Sequence, residues 1–229
     1  KVEDHARFLL KKGEDVEAAT ESAELWKDPE KKFVELIREA GAGVARGRDA
    51  NGRTATAVVF NRAFQGTEEW AGRLKDLEGV RIVAMYEAPF PDASLAELAK
   101  LPELHSLRLL RDTILPETLA TLSTISSLRR LNATSIQRSF CDVRPLGKLT
   151  RLERLDLVNL AFEPSDLDAW STLTRLRDLD LSRSAVDDAV LKKLGGFPQL
   201  QAVRLSTDAV SVEGIQELRG AVPNLFIDW

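Results

Sequence analysis

One short motif recurs along this chain at a constant spacing, and this repeat limits the possible folds more than any other feature. The motif is an apolar residue followed by two more, three and five residues later, in the pattern LxxLxL. Each step between successive motifs is 24 residues, and the motifs begin at Val80, Leu104, Leu128, Leu152, Leu176 and Leu200. Periods of this size are typical of repeat architectures, in which each unit packs against its neighbours.

The apolar period changes within each repeat, which predicts a strand followed by a helix. The second half of LxxLxL alternates, as a short strand with one buried face does. Later in the repeat, apolar residues recur every three positions, as at Leu191, Leu194 and Phe197, which is typical of one side of a helix or 3-10 turn. Since neither element can bury its apolar side alone, we predict that the repeats stack, with parallel strands joined by right-handed crossovers.

The unit that begins at Leu176 has the fullest pattern, LxxLxLxxSxVxDxxLxxL. This pattern resembles the leucine-rich repeats, in the 24-residue bacterial form related to the ribonuclease-inhibitor-like class. The resemblance covers roughly residues 54–229. It implies an α/β leucine-rich-repeat solenoid, with a curved parallel sheet inside and helices or 3-10 turns outside. It does not imply one function, because such repeats serve many unrelated partners.

The segment before the repeats predicts an N-terminal cap. Asp28 followed by Pro29 favours a helix start, and Gly41 favours its end. The turn-forming residues 49–52 then predict a hairpin that leads into the first strand. We therefore predict two domains: residues 1–53 as a helical segment with a capping helix and hairpin, and residues 54–229 as about seven repeats, the last truncated.

The first 27 residues favour a helix, with a short apolar stripe at Ala6, Leu9 and Leu10 that is expected to dock on the cap. The repeat that begins at Leu128 departs most from the pattern, because residues 137–142 replace its expected turn. We predict a bulge there, with Phe140 or Cys141 filling the core. Two further side chains are expected to turn inward, those of Ile136 and Leu160.

The composition argues against several classes of protein. A single Cys excludes an internal disulfide framework and a cysteine-rich zinc site, and no apolar run approaches the roughly 18 residues of a membrane span. The net charge of -4, from 32 Lys+Arg and 36 Asp+Glu, argues against a dedicated nucleic-acid or membrane-surface protein. We expect no cofactor and no metal site.

No catalytic residue is predicted. His105 falls on a predicted inner strand near Ser and Asp residues, which formally permits a nucleophilic triad, but no nucleophile-elbow sequence accompanies it. Residues 41–47 lack the spacing of a dinucleotide loop and follow a helix, which favours a loop that enters a hairpin. Cys141 is interpreted as a small buried hydrophobe. The chain is therefore predicted not to be an enzyme.

The variable positions of LxxLxL are predicted to lie on the inner, concave face of the sheet. This face begins apolar, becomes basic and then turns acidic, and Tyr and Arg beside apolar residues are typical of binding hot spots. An equally open interpretation is that its charges pair between strands, for example Arg154 with Asp178, and keep the sheet soluble. The residues predicted to contact a partner are Ile82, Tyr86, Arg108, Leu110, Arg130, Arg154, Asp156, Asp178 and Asp180.

Three functions are open at this point. The leading hypothesis is a non-catalytic module that binds a protein or peptide on the concave face. The second is a nucleic-acid binder that uses the Arg108–Arg154 patch, which the adjacent acidic residues disfavour. The third is the recognition domain of a larger enzyme or signalling protein, since the chain starts at Lys1 and not at Met. One Cys slightly favours the cytoplasm but also fits an exported protein, and the oligomeric state is open.

Overall fold

The computed structural model describes residues 2–14, 26–67, 69–205 and 209–229. By its internal contacts the chain divides into unit 1, Lys1–Leu109, and unit 2, Leu110–Trp229. Within each unit the strands follow one another in chain order, and helices or 3-10 turns connect them. The fold class is therefore α/β with the strand–helix layout of leucine-rich repeats, as predicted. The division into a cap of residues 1–53 and a repeat domain of residues 54–229 stays a prediction.

Unit 1 begins with two helices and a hairpin. The hairpin strands β1 and β2 pair antiparallel, and β2 pairs parallel with β3. Gly41, at a φ of 97°, turns the chain from α2 into the hairpin as predicted, although residues 43–47 already form the first hairpin strand instead of a loop. The elements are α1 (Val2–Glu14), α2 (Asp28–Glu39), β1 (Gly43–Arg48), β2 (Thr54–Asn61), α3 (Glu69–Arg73), a 3-10 turn (Leu74–Asp76), β3 (Val80–Tyr86), α4 (Asp92–Leu95), a 3-10 turn (Ala96–Lys100) and most of β4 (Ser106–Arg111).

The start of unit 1 agrees with the predicted helix only in part. The helix α1 is present over Val2–Glu14, and its apolar stripe is buried against the hairpin. Of the rest of the segment predicted as helix, residues 15–25 lie outside the described residues, and Trp26 and Lys27 precede α2 without helical structure.

Unit 2 consists of parallel strands in a constant register. Leu131 is opposite Leu155, which is opposite Leu179, so paired positions are 24 residues apart. The same step continues to Val203 and Ile227. The elements are α5 (Pro116–Leu122), β5 (Arg130–Phe140), a 3-10 turn (Arg144–Lys148), β6 (Arg154–Ala161), a 3-10 helix (Pro164–Thr172), β7 (Asp178–Asp180), α6 (Asp188–Leu194), β8 (Ala202–Arg204), α7 (Val212–Ala221) and β9 (Phe226–Asp228).

The core of unit 2 is a ladder of buried leucines between the strands and the helices. The sequence supplies no regular Asn or Thr at the turns after the strands. Other polar side chains therefore bond to the backbone groups there. Ser184 Oγ donates to Leu157 O at 2.7 Å and accepts from Leu160 N at 3.0 Å. Trp170 is fully buried and donates from Nε1 to Val143 O at 2.9 Å. These bonds tie each repeat to its neighbour.

The predicted bulge is present in β5, and its contents agree with the prediction except at Ile136. The pairing of β5 with β6 shifts between Thr134 and Ser139. Cys141 and Leu160 are fully buried, as predicted. The inward placement of Ile136 was wrong, since it is 48% exposed, and Phe140 is 62% exposed. The smaller Cys141 fills the core instead, with Sγ donating to Ile114 O at 3.0 Å, and the extra residues of the bulge leave the ladder.

A buried ion pair joins α2 to the hairpin of unit 1. Both guanidinium NH₂ groups of Arg46 donate to the Glu30 carboxylate at 2.8 Å, and Arg46 also lies 3.9 Å from the centroid of the Trp26 ring. Glu30 accepts two further hydrogen bonds from backbone N–H groups, those of Glu78 and Lys27. Burial raises the pKa of Glu30, but these bonds outweigh it and lower the pKa from 4.5 to about 2.

We predict that Glu30 makes unit 1 sensitive to acid. Because its pKa is lower in the folded chain, the stabilisation is complete above about pH 4.5 and is lost as the pH falls toward 2. The difference between the two pKa values corresponds to about 3 kcal/mol. Glu30→Gln should lower the free energy of unfolding at pH 7 by about 3 to 5 kcal/mol, because it leaves the buried charge of Arg46 without its carboxylate partner.

Urea denaturation of both proteins between pH 7 and pH 2.5 measures this. The difference between wild type and Glu30→Gln should shrink as the pH falls below 4.5. The exposed Glu217→Gln serves as the control and should change the free energy of unfolding by less than about 0.5 kcal/mol. A difference that is independent of pH would contradict the assignment.

Candidate partner-binding surfaces

The strands of each unit have two faces. In β6, Leu155 and Leu157 are buried against the core, whereas Arg154 and Val158 point to the other side and remain accessible. We call this second side the open face of unit 1 or unit 2. The residues predicted to bind a partner belong to these open faces, and the two faces differ.

The helix α1 covers the open face of unit 1. Ala6, Leu9 and Leu10 are buried against it. Ile82 is consequently 1% exposed, so the prediction that it is available on the open face was wrong. The apolar start of the predicted concave face is thus the contact surface of a helix in the same chain. The strand residues in this contact are Ala45, Ala55, Ala57, Val59, Ile82 and Ala84.

The sequence of unit 1 allows a close approach between α1 and the strands. Ala6, Leu9 and Leu10 lie on one side of α1, at the spacing i, i+3, i+4. The strands contribute mostly alanines to this contact, together with Gly43. A Cβ atom at Gly43 would lie 2.4 Å from Val2 O, so no other residue fits there without movement. At the N-terminal end of α1, Glu3 forms an ion pair with Arg38 at 3.1 Å.

Polar groups join α1 to β3 and β4. His5 Nε2 and Tyr86 Oη are 2.9 Å apart. Burial raises the pKa of Tyr86, and the adjacent Arg108 guanidinium, a donor to the hydroxyl, partly offsets this rise. Burial lowers the pKa of His5, and the charge of Arg108 lowers it further. Arg108 can only donate, so the Tyr86 hydroxyl can accept from Arg108 and donate its own proton to His5, and the lowered pKa of His5 favours the neutral ring.

A pocket of about 510 Å³ lies beside α1 in unit 1. Phe8 is 51% exposed on the same helix, and its ring stacks on His5 with a centroid distance of 6.1 Å. Tyr86 is half-buried at the edge of the surface that α1 covers. It does not lie at the centre of an exposed binding surface. The pocket is lined by Val2, His5, Val59, Asn61 and Tyr86.

The open face of unit 2 is accessible and charged. Arg130 and Arg154 are exposed, and Leu110 is partly exposed. Asp156, Asp178 and Asp180 are half-buried among their neighbours. These six predicted residues therefore lie where a partner can reach them. Exposure alone does not test binding, and their contact with a partner stays a prediction.

Many charges on this face are paired within the protein. Arg154 Nε donates to Asp156 Oδ1 at 3.0 Å in its own strand, which differs from the predicted pairing with Asp178. Arg204, which the sequence interpretation did not single out, bridges Asp180 at 2.9 Å and Asp228 at 3.2 Å. Burial raises the pKa of Asp180, but hydrogen bonds from Ser182 and Arg204 lower it more. Pairing within and between the strands thus accounts for much of the charge pattern.

An apolar residue at the end of unit 2 was also missed. Phe226 is 64% exposed in β9, opposite Ala202 of β8. It occupies the same register position as Asp178 and Arg154, two and three strands away. The repeat register could have placed it on the open face, because 226 follows 154, 178 and 202 at the same step. An exposed Phe beside paired charges is a common composition at binding surfaces.

A polar groove of about 650 Å³ lies at the N-terminal ends of the unit 2 strands. It contains the exposed Arg175 and Arg177 together with Glu153, and the other lining residues include the amide side chains of Gln199, Gln201 and Asn224.

His105 and Cys141 are residues considered from the sequence as reactive groups. His105 precedes β4, and its backbone N–H donates to Arg81 O at 3.1 Å. Burial raises the pKa of Cys141 to about 11, and the charge of Glu117 adds to this effect. Among residues 2–14, 26–67, 69–205 and 209–229, no three His, Cys, Asp or Glu side chains are grouped so that they could hold a metal ion. Within the same ranges, no helix has the length and apolar character to cross a membrane.

Comparisons with known proteins give structural similarity only. No family model matches the chain, and no curated protein matches its sequence. An internalin from Listeria monocytogenes is 20% identical over 68% of this chain and 49% of that one, with a TM-score of 0.47. A leucine-rich repeat protein from Leptospira interrogans is 14% identical over 67% and 47%, with a TM-score of 0.37. The chain thus spans about half the length of these structures.

We predict that the thiol of Cys141 is unreactive in the folded protein. It is fully buried, and its raised pKa of about 11 leaves almost no thiolate at pH 8. Ellman's reagent should therefore label the native chain at least a hundredfold more slowly than glutathione, and should label it completely in urea. Rapid labelling of the native protein would contradict this environment.

We also predict that the charged pairs on the open face of unit 2 contribute little to stability. Arg204→Ala should lower the free energy of unfolding by less than about 1 kcal/mol, because half-exposed ion pairs are screened by water. Urea denaturation of wild type, Arg204→Ala and the exposed control Arg219→Ala measures these free energies. A loss of several kcal/mol for Arg204→Ala alone would show that the pairs hold unit 2 together.

Proposed function

We propose that this protein is a non-catalytic interaction module and that the open face of unit 2 binds a protein or peptide. The observation that carries the proposal is an accessible row of side chains across five parallel strands. The proposed contact residues are Arg130, Arg154, Asp156, Asp178 and Asp180, to which we add Arg204 and Phe226.

The composition of this face favours a folded partner or an extended peptide of mixed charge. Each guanidinium and carboxylate has further donors or acceptors beyond its internal partner. Arg130 is exposed on β5, whereas Arg204 is held between two carboxylates. A partner can therefore form charge-assisted hydrogen bonds without leaving a buried charge unpaired, with Phe226 as an apolar contact at one end.

The nucleic-acid alternative receives less support. Arg154 is bonded to Asp156, and carboxylates accompany the arginines in the next strands of unit 2. A phosphate backbone would meet these negative charges at close range. The proposal of a recognition domain within a larger enzyme is compatible with the same surface, which would then recruit the substrate protein.

Affinity capture with a charge-swapped face tests this function. In Arg130→Glu/Asp178→Lys the two charges of the open face are reversed, and the net charge is unchanged. The control Arg219→Glu/Glu213→Lys makes the same exchange on the exposed side of α7. We predict that partners enriched by wild type fall at least tenfold with the first variant and not with the control, as quantified by mass spectrometry. Equal enrichment by all three proteins would contradict the proposed face.

A further inference from the structure

The open face of unit 1 is a groove that already holds a helix. We propose that this face is a receptor for an amphipathic helix of a protein partner, and that α1 is an internal ligand which the partner's helix replaces. This inference goes beyond the proposed function, because it concerns a different surface, with its own ligand.

The residues at the floor of the groove favour a docked helix with a particular pattern of side chains. Its alanines and Gly43 let a helix backbone come close, as the carbonyl of Val2 does. α1 fills the space with one small and two branched side chains, Ala6, Leu9 and Leu10. A helix laid into an apolar groove is read through residues at i, i+3 and i+4. The partner's helix should therefore carry a small residue followed at these spacings by two leucine-like residues.

The charges beside the groove add a second requirement. Arg38 forms an ion pair with Glu3 of α1 at 3.1 Å, and Arg108 lies beside Tyr86. These two charged groups beside the groove are basic, which favours an acidic residue in the first turn of the incoming helix. The motif of the partner is thus an acidic first turn, followed by a small residue and two leucine-like residues.

The contacts of α1 suit a ligand that can leave. Among residues 2–12 of α1, the fully buried side chains are those of Ala6, Leu9 and Leu10, and both side chains of the Glu3–Arg38 ion pair are partly exposed to water. Helices of this length are marginal in water by themselves, so α1 keeps its helical form only while docked. The helix α2 differs, because its Glu30 is locked to Arg46 inside the core. Competition at the open face can therefore release α1 while the rest of unit 1 stays folded.

The bond between His5 and Tyr86 offers a way to loosen α1 without altering the groove. Tyr86→Phe removes the hydroxyl and keeps the ring that borders the groove. If α1 docks reversibly, this variant should raise the fraction of molecules with α1 released. A ligand that binds only the open form then gains affinity by the same factor.

The probes for the experiment are two labelled synthetic helices. The first keeps Glu3, Ala6, Leu9 and Leu10 of α1 at their spacing and replaces the outward-facing residues with unrelated polar ones. The control peptide is identical except for Asp at both leucine positions. Binding is measured by fluorescence anisotropy to the full chain of wild type, Tyr86→Phe and Leu9→Asp/Leu10→Asp, and hydrogen exchange of the α1 amides reports release.

We expect the first peptide to bind Leu9→Asp/Leu10→Asp at least tenfold more tightly than wild type, and the control peptide to bind neither. Tyr86→Phe should speed exchange in α1 and strengthen peptide binding by equal factors. The proposal is overturned if the first peptide binds neither variant. It is also overturned if Tyr86→Phe speeds exchange in α1 without strengthening binding of the first peptide. Since Tyr86→Phe leaves the apolar floor intact, misfolding of the double variant would not obscure the result. Binding of partners to unit 2 is unaffected by either outcome.

Discussion

The helices of a strand–helix repeat pack on only one side of its strands, and the side chains on the other side must be accommodated separately. The alternation of a strand places every second residue there, so the length of the strands fixes how much surface is left. Unit 1 and unit 2 meet this constraint in different ways. In unit 1 the side chains are small and apolar and α1 covers them, whereas in unit 2 they are charged and pair with one another.

This difference determines which surface is available to a partner. On the open face of unit 2, water and neighbouring charges already solvate the side chains, so a partner exchanges one set of polar contacts for another. On the open face of unit 1, a partner must supply an apolar helix side as complementary as that of α1. The two faces would therefore recruit different ligands, and they respond to different substitutions.

The anchoring of α2 explains how one helix of unit 1 can be permanent while another is exchangeable. Glu30 satisfies Arg46 and two backbone N–H groups at once, so withdrawal of α2 would leave several buried groups without partners. The contacts described for α1 are of a different kind. Its polar contacts, at Glu3 and His5, lie at the edge of the buried surface, where water can replace them.

The 24-residue repeat predicted the features that recur in every unit. The errors concern features outside the repeat pattern. The 24-residue step indicated which leucines face the core, and it would also have placed Phe226. It could not show that a segment outside the repeats covers Ile82, because periodicity assigns a residue to a face and not to a neighbour. The signal was present in two separate observations, the stripe at Ala6, Leu9 and Leu10 and the apolar start of the concave face. The bulge in β5 likewise depended on the small volume of Cys141, which the pattern could not weigh against Phe140.

The most direct test of this account is the solvent accessibility of methyl groups on the two open faces, measured by NMR with a soluble paramagnetic agent. Ile82 of unit 1 and Val158 of unit 2 occupy positions on these faces. We predict weak relaxation enhancement of the Ile82 methyls and strong enhancement of the Val158 methyls in wild type. In Leu9→Asp/Leu10→Asp, enhancement should rise at Ile82 and stay constant at Val158. Strong enhancement at Ile82 in the wild-type protein would contradict the account, because it would mean that α1 does not cover unit 1.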